Sequence, residues 1–204
     1  MKKDNPILNW LFNPFKYIAG VKALIAGWGI ILLLSFLAYM SKTHFDGAID
    51  IHYACLDSQT PYYIHLLYQV IGWGSLTIVM YITARIATKS TNIRLIDIAG
   101  TLALSQTPLL LAALLGFLPQ SHICFGDLES INLPLLMETL NENIISLSII
   151  GFIIIIISIW SIVLKYNAYS VSTNIKGITG GISFAIALII AEIISKVILY
   201  LTLS

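Results

Sequence analysis

Charge is what this chain has least of. Asp, Glu, Lys and Arg make up 10% of its 204 residues, whereas an ordinary soluble domain carries about a quarter, so a water-exposed surface wrapped around a single core is excluded. Cysteine is scarcer still. Cys55 and Cys124 are the two in the chain, which rules out a disulfide-rich scaffold and a four-thiolate zinc site but leaves one bridge open. Catalytic signatures are missing as well: there is no Gly-x-Ser-x-Gly elbow, Walker loop, dinucleotide fingerprint or His-Glu-x-x-His. No familiar enzyme class is indicated, and the chain is expected to be non-enzymatic.

What it has instead is hydrophobicity, at 58% of residues, gathered into runs that approach or exceed the roughly 20 residues needed to cross a bilayer. The reading is an all-α integral membrane protein. Its interfacial lead-in covers residues 1–17, and its five spans cover about 18–41, 61–85, 95–118, 144–164 and 177–203. Lys2, Lys3 and Lys16 before the first run resemble a signal peptide, but the run is too long for an h-region and lacks a small-residue cleavage site. It is read as a retained span.

Lys and Arg set the expected orientation. Lys2, Lys3, Lys16, Lys22, Arg85, Lys89, Arg94, Lys165 and Lys176 fall on one side of the five-span layout, and the loops of the other side hold only Lys42. The N-terminus is therefore expected in the cytoplasm and the C-terminus outside. Arg85, Lys89 and Arg94 read as a topology determinant in contact with anionic lipid, not as a nucleic-acid site.

Local signals refine the spans. Ala19, Ala23 and Gly27 recur every four residues and predict a close-packing face on the first; Gly177, Gly181, Ala185, Leu188 and Glu192 predict another on the fifth. Thr60-Pro61 reads as a helix start. His65, Gln69 and Gly72 share one face of the second span, directed at protein or water. Pro108 cannot donate to the carbonyl of Leu104, so a kink is expected there, with neighbouring polar side chains or a neighbouring helix meeting the freed oxygen. Pro134–Leu140 reads as a short surface helix and Lys165–Lys176 as a polar loop.

The chemistry gathers in the first outer loop. His44, Asp46, Asp50 and His52 lie within nine residues, and neutral imidazole with carboxylate suits a divalent cation such as zinc. The plain alternative is that they cap the first span and face water, since no fixed ligand spacing is present. His65, about 6 Å into its helix at 1.5 Å per residue, and Glu192 are expected as outer partners of such a site. A carboxylate deep in a span needs a partner; Lys196 at i+4 is the expected one, unless Lys196 snorkels to the outer interface and leaves Glu192 to the histidines. Cys55 and Cys124, in the two outer loops, are a candidate disulfide.

Asn13-Pro14-Phe15-Lys16-Tyr17 before the first span, the five-span layout and His44-Phe45-Asp46-Gly47 after it resemble the Yip1 domain family, bacterial branch. The resemblance implies a five-helix domain of the bacterial inner membrane with a cytoplasmic N-terminal segment. Eukaryotic members of that family have a long N-terminal region and an Asp-Leu-Tyr-Gly-Pro motif, both missing here, so their link to Rab GTPases and secretory traffic does not carry over.

The leading expectation is a non-enzymatic Yip1-type protein whose external polar chamber binds a divalent cation or supports membrane-protein assembly. Its partners are then the lipid bilayer and either other membrane proteins or further copies of itself. A small transporter or proton-coupled permease using Glu192 and His65 is the alternative, and a metal-dependent membrane hydrolase the third reading.

Overall fold

The computed structural model describes residues 6–57, 59–88, 92–122 and 133–203. Lys2, Lys3, Lys89, Cys124, Asp127 and Glu129 lie outside the described residues.

In chain order the elements are α1 (Pro6–Phe12), α2 (Gly20–Met40), β1 (Thr43–His44), β2 (His52–Tyr53), α3 (Tyr62–Thr88), α4 (Leu95–Leu104), α5 (Leu109–Leu115), α6 (Leu133–Thr173) and α7 (Gly177–Leu203). Among the described residues, five helical segments are long and apolar enough to cross a membrane: Gly20–Met40, Tyr62–Thr88, Leu95–Leu115, Leu140–Thr173 and Gly177–Leu203. The expected all-α class and number of crossing helices are present.

Pro108 divides the third crossing into α4 and α5, with a turn at 105–108. The Leu104 carbonyl freed by the proline accepts from the Thr107 hydroxyl at 2.7 Å and the Thr107 amide at 3.2 Å. A broken helix is tolerated at this depth because a local side chain meets the stranded oxygen.

The fourth crossing corrects the sequence expectation. One helix of 41 residues, α6, runs without a break for roughly 60 Å at 1.5 Å per residue. It absorbs both the expected surface helix at Pro134–Leu140 and most of the expected loop at Lys165–Lys176. Pro134 stands in the first turn, where a missing amide costs nothing, and polarity alone does not end a helix. What ends it is left-handed backbone at Asn174 (φ 57°); a second left-handed residue, Gly177 (φ 66°), opens α7. Toward its far end, α6 also carries the N-terminal segment: Trp160 donates to the Leu11 carbonyl and Asn167 to that of Phe12.

Small residues draw α2 and α4 together. A Cβ on Gly27 would meet Ala103, and one on Gly100 would meet the Gly20 carbonyl and the Leu24 amide, so the packing face expected on the first span exists at Ala23 and Gly27, whereas Ala19 precedes the helix and is exposed. On α7 the expected stripe is off by part of a turn. Ala185 is exposed, whereas Gly180, Phe184, Ala187, Leu188 and Ala191 are buried. Of the expected stripe Leu188 is buried as predicted, while Phe184, Ala187 and Ala191 beside it were not part of the expectation.

Between α2 and α3 the chain makes a hairpin that turns back into the bundle. β1 pairs antiparallel with β2 in the register Thr43↔Tyr53 and His44↔His52. The tip wedges between two apolar clusters: Phe45 packs with Leu34, Ala38, Leu109, Ala112 and Ala113, and Ala48 packs in the cluster of Leu76 and Ala191. The Gly47 carbonyl lies where a side chain on Gly72 would begin. Gly72 is ten residues beyond the start of α3 at Tyr62, so the tip sits about 15 Å below that end of the helix.

Candidate functional site: a charged hairpin chamber

Non-helical backbone at such depth needs internal partners, because bilayer hydrocarbon supplies none. Glu192 on α7 is one of them. Its Oε2 accepts from the Ile49 amide at 2.9 Å, and its carboxylate lies against Gly47. At the hairpin's base the Tyr53 hydroxyl donates to the Ala112 carbonyl at 2.8 Å. His122 bridges the carbonyls of Ala54 and Gly116 at 2.6 and 2.7 Å.

Lys196, one turn beyond Glu192, does not take the expected i,i+4 partner. Its ammonium lies 3.1 Å from Asp46 Oδ1 and also bonds Asp50 Oδ2. Among the described residues, no ion pair joins Glu192 and Lys196. The hairpin supplies better partners for both: an amide for the carboxylate and two carboxylates for the ammonium. Successive turns of α7 thus grip the hairpin by its backbone and by its side chains.

His52 completes the group, with Nδ1 at 3.3 Å from Asp46 Oδ1. Asp46, Asp50 and His52 offer ligand atoms that all lie within 4.8 Å of one another. The structure therefore brings together three of the four residues expected as metal ligands. His44 stands apart from that group and forms a ring cluster, with centroids 5.2 Å from His52, 5.0 Å from His65 and 5.5 Å from Tyr68. His65 and Gln69 are buried on the face of α3 expected from their spacing. Cys55 is disulfide-bonded; Cys124, the other half of the candidate bridge, lies outside the described residues.

The hairpin's titrating groups are pushed apart. Burial pulls His44 down to about 4, helped by the neighbouring imidazoles of His65 and His52, so it is neutral near pH 7. The hydrogen bond to Asp46 raises His52 above its ordinary value against the effect of burial. Burial pushes the Asp46 carboxyl up, but His52 and Lys196 outweigh it and hold the group below the usual carboxylate range.

Two clefts reach this chamber. One, of about 410 Å³, is bordered by Asp46, Tyr68, Lys196, Leu199 and Tyr200. The other, of about 540 Å³, is bordered by Tyr39, Lys42, His44, Gln59, Thr60 and His65. The His44 Nε2 and His65 Nδ1 atoms are buried without a hydrogen-bond partner.

Sequence reasoning missed Lys165, which is 2% exposed and whose ammonium bonds Ser161 Oγ. A signal was there. Ser161, Lys165, Tyr169 and Thr173 recur every four residues, but ending the fourth span at Leu164 hid the stripe.

The class that five apolar crossing helices define is the multi-pass membrane protein. No family model, curated protein or solved structure matches the chain.

Proposed function

We propose that the chain is a non-enzymatic multi-pass membrane protein whose hairpin chamber takes up a divalent first-row cation, with Asp46, Asp50 and His52 as ligands and His44 at the rim. One observation supports this reading: two carboxylates and an imidazole converge within 4.8 Å at a chamber that opens to solvent, and the space between the carboxylates already accommodates positive charge. Lys196 supplies that charge while no metal is bound. Its side chain is 39% exposed, and its flexible stem can carry the ammonium to the water beyond Leu199 and Tyr200.

An arriving divalent ion displaces the ammonium, with anionic oxygen and neutral nitrogen as its donors. Only a neutral imidazole ligates, so binding weakens in acid. The Lys and Arg asymmetry favours an external chamber. Membership of the Yip1 family and a bacterial inner-membrane location belong to this proposal through the Asn13–Tyr17 lead-in and the five-span order.

Zinc titration of detergent-purified protein, with elemental analysis, tests it. One zinc per chain is expected, lost in the Asp46→Asn/His52→Ala double variant and bound more tightly by Lys196→Met, which lacks the internal competitor. Failure of both wild type and Lys196→Met to bind zinc, cobalt or manganese sinks the reading.

A further inference from the structure

We infer that the cleft between the end of α2 and the start of α3 binds a phosphate ester carrying free hydroxyls, supplied by a phospholipid with a glycerol-type headgroup. The inference is independent of cation binding, because none of the hairpin's carboxylates borders this cleft.

At about 540 Å³ the cleft has the size of a small-ligand site. Its charge is of one sign. Lys42 borders it, and among the described residues no Asp or Glu does. The hairpin fixes where this lysine starts: its backbone is left-handed (φ 51°), and its carbonyl accepts from the Ala54 amide at 2.9 Å. Thr60 and Pro61 bring the start of α3 to the same cleft, so the positive end of a 27-residue helix adds to the field of the ammonium. Both features favour an anion.

The histidines say what else the ligand carries. His65 is 2% exposed, yet it borders the cleft and its Nδ1 has no hydrogen-bond partner. The ring is held in place. It donates to the backbone of Thr43, and the rings of Tyr39, His44 and Tyr68 pack around it with centroids 6.0, 5.0 and 6.1 Å away. A neutral imidazole that donates through one nitrogen accepts through the other, so Nδ1 calls for a donor. His44 borders the cleft too, and its Nε2 has the same deficit. A buried polar atom left unpaired is costly, and a phosphodiester group by itself has no proton to offer. A hydroxyl both donates and accepts, so it suits either nitrogen. An ester with its phosphate at Lys42 and its alcohol hydroxyls at the two imidazoles meets every one of these groups.

Position favours a lipid as the source. Tyr39, Tyr62 and Tyr63 are exposed where α2 ends and α3 begins, as aromatic side chains are at the headgroup level of a bilayer. Tyr39 meets Tyr62 edge-on at 6.0 Å and also borders the cleft, so belt and cleft are continuous. One and two turns back along α2, Phe36 and Leu33 are exposed and offer apolar surface to the tails.

The test is native mass spectrometry of the full chain from detergent micelles, with phosphatidylglycerol, phosphatidylmethanol or phosphatidylcholine added. Phosphatidylmethanol has the charge of phosphatidylglycerol without its hydroxyls. Wild type is expected to retain one phosphatidylglycerol per chain, about tenfold more strongly than either other lipid. Lys42→Asn is expected to weaken that retention about tenfold, the loss of one charge-assisted hydrogen bond; Asn tolerates left-handed backbone, so the hairpin keeps its start. His65→Phe keeps a flat ring and is expected to narrow the preference for phosphatidylglycerol over phosphatidylmethanol. Unchanged circular dichroism and gel-filtration profiles verify that both variants fold. Soluble glycerol phosphate is expected to leave the lipid bound, and its displacing the lipid at equal concentration overturns the headgroup as the source. Wild type that holds phosphatidylglycerol no better than phosphatidylcholine or phosphatidylmethanol, or a Lys42→Asn variant that holds it as wild type does, overturns the inference. The Asp46→Asn/His52→Ala variant keeps the lipid and Lys42→Asn keeps zinc, so the two proposals fail separately.

Discussion

The hairpin at 43–53 and the helix α6 present the same membrane problem solved in opposite ways. Along α6, Ile145, Ile149, Phe152, Ile155 and Ile159 are exposed, and every backbone bond within the helix is local, so apolar composition suffices to hold it in lipid. The hairpin has no such repeat. Its backbone depends on particular groups from distant elements: the Glu192 carboxylate for the Ile49 amide, Gly72 for room beside Gly47, and Lys196 for Asp46 and Asp50. A helix in a bilayer tolerates substitution within a class, whereas a segment folded back into the bundle depends on individual atoms.

Substitutions that separate the two regions follow in order of expected size. Gly72→Val places a side chain where the Gly47 carbonyl lies, with backbone on both sides, and overpacking of that kind costs about 3 kcal/mol. Thermal unfolding in detergent measures the loss, and a thiol probe at Ala48→Cys reports whether the tip has lifted; an unshifted midpoint would break the comparison at its strongest point. Glu192→Ala removes the acceptor of the Ile49 amide, a bond at an exposed residue, at a cost of about 0.5–1.5 kcal/mol. Glu192→Gln is expected to recover most of that, because it retains the acceptor.

Lys196→Met leaves Asp46 and Asp50 facing each other without their ammonium. The loss is expected to be about 1 kcal/mol and no more, since the lysine is 39% exposed and water screens the pair. Added zinc is expected to reverse the sign by stabilising this variant more than wild type, as differential thermal shift would show.

The hairpin also sets a pH dependence. His52 is raised above its ordinary 6.5, so its stabilisation is whole below about 6.5 and is lost as pH rises through the higher folded value. His44, lowered to about 4, contributes stability that is present above 6.5 and lost as pH falls toward 4. Stability is therefore expected to peak near pH 6.5, with changes below about 1 kcal/mol on the alkaline side because His52 is half exposed. His52→Asn flattens the alkaline limb and leaves the acid limb in place; melting curves from pH 5 to about 8.5 distinguish them. Smallest of all, Ile155→Leu on the exposed face of α6 is expected to shift stability by less than about 0.5 kcal/mol. A larger effect there would mean that this face has a protein partner.

The site was partly legible in the chain. The polarity of Thr43–His52 within an apolar sequence located the hairpin, and the i, i+4, i+7 spacing placed His65, Gln69 and Gly72 on a buried face. Pairing was less legible. Glu192 and Lys196 at i+4 read as partners of each other, because sequence shows spacing along one helix but not what lies across from it. Lys165 was read as the start of a loop for a related reason: a charge near the end of an apolar run looks like a boundary until a neighbouring helix is seen to bury it.

The sequence by itself determined the class and the number of crossings. Both follow from hydrophobic run length, which a bilayer reads residue by residue without reference to the rest of the fold. It also determined the break at Pro108, because the missing amide and the Thr107 hydroxyl that answers it are local. Only the tertiary structure decided that the hairpin enters the bundle, that α7 holds it with two consecutive turns, and that Lys165 is buried. Those outcomes depend on groups such as Ile49 and Glu192, 143 positions apart, whose free energies of burial are settled only when they meet.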